Sequence, residues 1–359
     1  MDFELSEDQE ALRGAARELL EGKASSRQVR RVVEAGGGWD RGLWEAMVEQ
    51  GWTGIAVPED VGGVGLGTVE VAVLLEQVGA RVAPVPILSQ VVALDALTRA
   101  RAAGVARLDD WIDGLLDGSS LGCVAFRPVD VDGEALRGRP EPVPFAPSAD
   151  VCVTIAAGAD GPGLFAIDLS GIRPPAEPAM DRTRELGWLV FDGTPGVRLG
   201  GAEAVEAFID LGSTAYAAEM LGAAAEMLDA SVEYAGERVQ FDRPIGSFQA
   251  VKHRCADMLV DVEGMRSAVY YASWAISASD ADASIAASTA KIWCSDASKR
   301  VMASALQVHG GIGFTWESDV HLYLKRSQLD EVSFGDASWH RSRLARLLRP
   351  RIEAGESVI

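Results

Sequence analysis

Polar and apolar positions repeat with one period at the two ends of the chain and with another in its middle. Near the start, Ser6-Glu7-Asp8-Gln9 fits a capping box, with Ser6 and Gln9 placed to satisfy backbone N–H groups at a helix start. Leu12, Ala16, Leu19 and Leu20 follow at helical spacing, and a second apolar set, Leu43, Trp44, Met47 and Val48, leads into Gly51-Trp52. The breaker-rich stretch from Pro58 to Gly65 reads as a loop opening a further helix through Val69, Val71, Val73, Leu74 and Leu75.

The texture then turns to short β-type runs, Leu121 to Phe126, Val151 to Ala156, Gly163 to Ile167 and Leu186 to Phe191. Turn clusters such as Asp130-Val131-Asp132-Gly133 and Asp160-Gly161-Pro162-Gly163 separate them, and Pro140, Pro142, Pro144 and Pro147 preclude a long helix in between. The last third is helical and Ala-rich. One pattern runs from Ala215 to Arg238 and stops before Pro244. A second begins near Phe248 with Val251, Cys255, Met258, Leu259, Val262, Met265 and Val269 on one face. A third covers 283 to 308 and stops at Gly310-Gly311, and a fourth follows Thr315 toward Leu329. The expected fold is mostly α with a β middle domain, divided as 1–118 (helical), 119–202 (β) and 203–359 (antiparallel helices forming a four-helix bundle).

Charge narrows the function. Lys+Arg is 33 against 53 for Asp+Glu, a formal net charge of −20 over 359 residues, which argues against nucleic-acid or anionic-membrane partners. No apolar run approaches the roughly 18 residues of a bilayer span, and Met1-Asp2-Phe3-Glu4 has no basic n-region, so a soluble cytoplasmic protein is expected. Cysteines stand singly at 123, 152, 255 and 294. His253, His321 and His340 show no ligand spacing, so neither a metal site nor a disulfide framework is expected.

Two constellations carry candidate chemistry. In Glu237-Arg238-Val239-Gln240-Phe241-Asp242-Arg243-Pro244, Arg238 and Phe241 lie three apart at a helix end and can project to one side. The guanidinium can hold a pyrophosphate by bidentate hydrogen bonds, or simply favour the helix C-terminus. In Gln307-Val308-His309-Gly310-Gly311-Ile312-Gly313-Phe314, the glycines allow close approach of a ligand to the backbone, or form an ordinary C-cap. Trp316 and Trp339 read as packing aromatics, and His309 as a bundle residue bonded to backbone.

Taken together, these features resemble the acyl-CoA dehydrogenase family along nearly the whole chain. The resemblance rests on Phe3-Glu4-Leu5-Ser6-Glu7-Asp8-Gln9, Pro58-Glu59 with Gly62-Gly63, Arg238-Val239-Gln240-Phe241 before Pro244-Ile245-Gly246, and Gln307 through Phe314. It implies a helical N-terminal domain, a β-barrel-like middle, a C-terminal four-helix bundle and FAD lying across a subunit interface. Arg238, Gln240, Phe241 and Gln249 would serve the pyrophosphate and adenine side. Gln307, Gly310 and Gly311 would close over it through backbone and amide hydrogen bonds.

The departures are as informative. The family's Thr-Glu-Pro-x-x-Gly-Ser stretch and Trp-Ile-Thr/Ser strand, both beside the flavin ring, correspond here to Phe126-Arg127-Pro128-Val129 and Pro142-Val143-Pro144-Phe145. The catalytic carboxylate of a Tyr-Glu-Gly-Thr loop is replaced in Ser333-Phe334-Gly335-Asp336, with Phe334 where Glu should be. The family's other base position reads Gly212-Ser213. Neither can take a proton, which leaves Asp336 and Glu331 as weak candidates and no assigned catalytic residue. The resemblance therefore points to one subunit of a heteromeric acyl-CoA dehydrogenase, as in paired systems of actinobacterial sterol side-chain breakdown. Such a subunit would hold the ADP half of FAD while a homologous partner, in an α2β2 assembly, supplies the base. An acyl-CoA would be the substrate and an electron-transfer flavoprotein the acceptor. The rival readings are a homomeric enzyme using Asp336 or Glu331, and a non-catalytic flavin- or acyl-CoA-binding scaffold.

Overall fold

The computed structural model describes residues 4–355; Phe3, which opens the first resembling stretch, lies outside them. Among the described residues the helices α1 (Glu7–Lys23), α2 (Ser26–Glu34), α3 (Arg41–Glu49), α4 (Thr68–Ala80), α5 (Ile87–Ala102) and α6 (Asp109–Leu116) come first. Strands follow as β1 (Gly122–Asp132), β2 (Ala135–Gly138), β3 (Val143–Pro144), β4 (Val151–Gly158), β5 (Gly161–Asp168), β6 (Leu186–Gly187), β7 (Phe191–Pro195) and β8 (Val197–Gly200). Then come α7 (Ala202–Glu237), the ribbon β9 (Val239–Gln240) and β10 (Arg243–Pro244), α8 (Gln249–Ser277), α9 (Ala283–His309), α10 (Val320–Val332) and α11 (Ala337–Glu353). The helix–strand–helix order expected from the sequence is the order observed.

The capping box forms as read. Ser6 Oγ accepts from Gln9 N–H at 3.2 Å, and Gln9 Oε1 accepts from Ser6 N–H at 2.9 Å. Contacts divide the chain into two compact units. One comprises the chain up to Ser26, Ala72–Ala83 and the chain from Ser213 onward; the other comprises Arg27–Val71 and Pro84–Gly212.

The second unit is organised by a curled sheet of order β7-β2-β1-β4-β5-β8, in which β1 and β4 run parallel and the other neighbours antiparallel. Its central strands are buried on both faces, so they read as continuous apolar runs. One face closes over Cys123, Ala125, Cys152, Phe165 and Ile167. Pairing sets Cys123 opposite Cys152, both fully buried as free thiols, although the two are far apart in sequence. Helix α5 packs on β1, and at Gly122 a Cβ would crowd Ala93. Gln90 of α5 is wholly buried and fully used. Its amide donates to Leu115 O (2.7 Å) and Ser120 O (3.1 Å), and its carbonyl accepts from Gly122 N–H (2.8 Å).

In the first unit α9 is the central helix, packed against α8, α10 and α11. The α7 helix joins them through Ser298, whose hydroxyl meets Met220 Sδ, and through a wholly buried ion pair between Glu219 and Arg326 of α10, at 2.5 Å. The expected bundle thus gains α11, whose run of arginines hides its apolar stripe. A close crossing in this unit sets α4 against α7. A Cβ on Gly222 would overlap the carbonyl oxygen of Glu76, and one on Gly79 would overlap that of Glu219. Glycine is needed at both positions because the obstacle is backbone, which cannot swing aside. Gly222→Ala should therefore lower the unfolding free energy by about 1–3 kcal/mol or more, read as a lower denaturant midpoint. An unchanged midpoint would show that the two helices can separate at no cost.

Candidate functional site

The first constellation folds as a tight ribbon at the C-terminal end of α7. Arg243 pairs with Gln240 and Pro244 with Val239, leaving Phe241 and Asp242 as a two-residue turn. Both turn residues have left-handed backbone, φ +53° and +63°, the geometry of a type I′ hairpin. Such a φ is uncommon for a phenylalanine, yet the Phe241 side chain is 87% exposed, touching Phe248 edge-on at 6.1 Å between ring centroids. Arg243 lies over Phe248, 4.2 Å from the ring centroid, and Ile245 N–H closes the ribbon onto Arg238 O at 2.8 Å. Arg238, Gln240 and Gln249 are exposed, and Arg238 has no ion-pair partner among the described residues.

The second constellation adjoins the first. His309, the last residue of α9, stacks on Tyr234 of α7 with centroids 4.7 Å apart, one turn before Arg238. Its Nδ1 bonds Ala305 O at 2.8 Å, so His309 is a bundle residue, as its position suggested. Gln307 and Gly311 are exposed and Gly310 half-buried. The Gly310 N–H already donates to Leu306 O, capping α9, so that donor is not free for a ligand and Gly310 contributes its left-handed bend (φ +63°). Beyond it Ile312, Phe314 and Trp316 are 46%, 75% and 62% exposed. Trp316 is thus an open aromatic with Lys325 over its face and His321 at its edge, whereas Trp339 packs half-buried beside His340.

The loop from Ser333 to Asp336 is held from several sides. The Lys291 ammonium, fully buried, donates to Asp330 O (3.0 Å), Glu331 O (2.9 Å) and Gly335 O (3.0 Å). His340 Nε2 bonds Phe334 O at 2.8 Å, and Ser333 Oγ donates to Leu329 O at 2.8 Å. Phe334 adopts φ +52° and turns its ring inward, 3% exposed, onto Tyr216 with centroids 5.6 Å apart. At Gly335 a Cβ would strike Trp339. Both weak candidate carboxylates are committed elsewhere. Asp336 Oδ1 accepts from Trp339 N–H at 2.8 Å as the N-cap of α11, and Glu331 pairs with Lys299 at 2.7 Å. Gly212 and Ser213 lie within α7, buried.

Burial shifts the basic groups around this loop. It lowers Lys291 to about 8, against the pull of the Asp330 carboxylate. It lowers His340 to about 3, against its bond to Phe334 O, with Lys291 and Arg343 pushing the same way as burial.

In the second unit, the stretches corresponding to the flavin-ring motifs are internally satisfied. Phe126 and Arg127 sit where the β1 register breaks, and their N–H groups donate to the two oxygens of Glu141 at 2.7 and 2.9 Å. Phe145, buried with φ +62°, donates its N–H to Glu185 O at 2.9 Å. Among the described residues no group of three or more His, Cys, Asp or Glu could hold a metal ion, and no helix is long and apolar enough to cross a membrane.

Residues 6–105 match the family model "Acyl-CoA dehydrogenase, N-terminal domain", and residues 200–348 match "Acyl-CoA dehydrogenase, C-terminal domain". The chain is 35% identical over 324 residues to the acyl-CoA dehydrogenase IpdE2 of Mycolicibacterium smegmatis, covering 90% of this chain and 93% of that protein. Among solved structures it is similar to a variant of the Tcur3481–Tcur3483 steroid ACAD (TM-score 0.89, 32% identity, covering 97% of this chain and 99% of that one). It is equally similar in fold to a chain of the ChsE4–ChsE5 complex from Mycobacterium tuberculosis (TM-score 0.89, 29% identity, 97% and 99%).

The His340 shift has a definite sign. The folded imidazole titrates below its ordinary 6.5, so below that pH the unfolded chain gains a proton that the folded chain refuses. Stability is fully present above about 6.5 and is lost as pH falls toward 3. Denaturant midpoints between pH 7 and 4 should fall less steeply in His340→Gln than in the parent. Identical slopes would mean that His340 titrates normally.

Proposed function

This chain belongs to the acyl-CoA dehydrogenase family, and we propose that it is the subunit that contributes the ADP side of an FAD site while a homologous partner supplies the catalytic carboxylate. The observation that carries the proposal is Phe334. The position where the family resemblance expects a glutamate holds a ring packed into the core on Tyr216, inside a loop fastened by Lys291 and His340.

The residues at the other site suit the cofactor. Arg238 is an exposed guanidinium without an ion-pair partner among the described residues, able to make two parallel hydrogen bonds to a pyrophosphate. The exposed amides of Gln240, Gln249 and Gln307 add donors and acceptors around it, and the exposed Phe241 ring offers an apolar face to adenine. The Gly311 backbone contributes close approach, and Gly310 the bend that presents it. A strained, solvent-facing phenylalanine is an outlier that a bound cofactor and an adjoining subunit would explain.

When bound, FAD would supply the hydride acceptor for Cβ of the thioester, and a carboxylate would be needed to take the Cα proton. This chain's residues do neither: Phe334 has no proton to exchange, Asp336 caps a helix and Glu331 is paired with Lys299. Glu141 occupies the two β1 amides in the stretch that corresponds to the ring site. A two-chain enzyme is further supported by similar structures described as the Tcur3481–Tcur3483 steroid ACAD and the ChsE4–ChsE5 complex. The same similarity favours a steroid-derived acyl-CoA as substrate, while the family resemblance alone implies an α2β2 assembly and an electron-transfer flavoprotein as acceptor.

Two measurements test this. Arg238→Ala should weaken FAD retention by the assembled enzyme about 10- to 150-fold, the worth of a charge-assisted bond of about 1.5–3 kcal/mol. Unchanged flavin affinity would remove Arg238 from the site. The purified chain alone should turn over acyl-CoA about 10²–10⁴-fold more slowly than the complex, since a general base is missing. Turnover by the single chain that Asp336→Asn abolishes would instead establish the homomeric enzyme.

A further inference from the structure

A cavity of about 220 Å³ opens within the second unit between α5, β5, β8 and the first turns of α7. Its floor is made by Ala96 and Ala100 of α5 with Leu164, Leu199 and Phe208, all buried, and Ala207 of α7 lines the far wall. For scale, an engineered apolar cavity of roughly 150 Å³ takes benzene. The mouth differs from the floor. There Arg99 Nε donates to Asp95 at 2.7 Å, and Glu203 adds a second carboxylate without an ion-pair partner among the described residues.

We propose that this cavity is a binding site for a compact, neutral, apolar molecule carrying one hydroxyl or carbonyl. The floor fixes the body of the ligand, because these side chains offer no polar partner and a buried polar group would lose its hydrogen bonds to water. The mouth fixes the head. Two carboxylates face one guanidinium that is already paired, so an anionic head is repelled, while a hydroxyl can bond to the Asp95–Arg99 pair. The inference does not depend on the proposed division of labour between subunits, since none of these residues belongs to that set.

The test compares cyclohexanol with cyclohexanecarboxylate on the full chain, alone and in its complex, by calorimetry and by the methyl resonances of Leu164 and Leu199. Cyclohexanol should bind saturably and shift both methyl groups, and the carboxylate should bind at least about tenfold more weakly. Ala100→Phe and Ala207→Leu, filling the cavity from opposite walls, should each abolish binding. Absence of methyl shifts in the parent chain at saturating cyclohexanol would overturn the proposal without recourse to any variant. Equal binding of the carboxylate, or binding that persists in either folded variant, would overturn it too.

Discussion

A buried ammonium organises the C-terminal helices. Lys291 leaves water entirely and is stable there only because three backbone carbonyls, two at the end of α10 and one in the turn into α11, converge on its three protons. The two on α10 would otherwise be orphans at a helix end. One side chain on α9 thus sets where α10 stops and how the chain turns into α11. Desolvation lowers the lysine toward 8 and the Asp330 carboxylate opposes it, which keeps the charge where the carbonyls need it at neutral pH.

The consequence for function lies in the loop this lysine holds. It is held by Lys291, His340, the Asp336 cap and a glycine packed under Trp339, and it presents a phenylalanine to the core. The opposite holds at the ribbon after α7. There Phe241 is held in an equally unusual backbone conformation but faces solvent, beside an arginine with no ion-pair partner among the described residues. On the proposed reading, an exposed arginine edge together with a phenylalanine at the expected base position suits a subunit that completes its partner's site.

How much of this was legible in the sequence varies with the physical signal. The capping box at Ser6, the stop at Gly310 and the end of α7 just before Arg238 were readable because caps and breakers act locally. Helix α5 left no period because it is buried on every side from Ile87 through Leu94, the polar Ser89 and Gln90 included. Helix α11 was hidden by Arg341, Arg346 and Arg349 on its exposed side. At the site, residue types were legible and their commitments were not. Asp336 differs from a free acid only through Trp339 N–H, Gly310 from a donor only through Leu306 O, and the Phe126–Arg127 amides from an open edge only through Glu141. Such pairings are made by tertiary structure, which also places three phenylalanines, 145, 241 and 334, in left-handed backbone that no local rule would assign them.

The most direct measurement of the central claim is the flavin content of the purified assembly per chain. If this chain supplies only the ADP side and its partner only the ring side and base, the α2β2 enzyme holds one FAD for each pair of unlike chains, whatever excess of FAD is offered. One FAD for every chain would mean that this chain also seats a flavin ring of its own, contradicting the account.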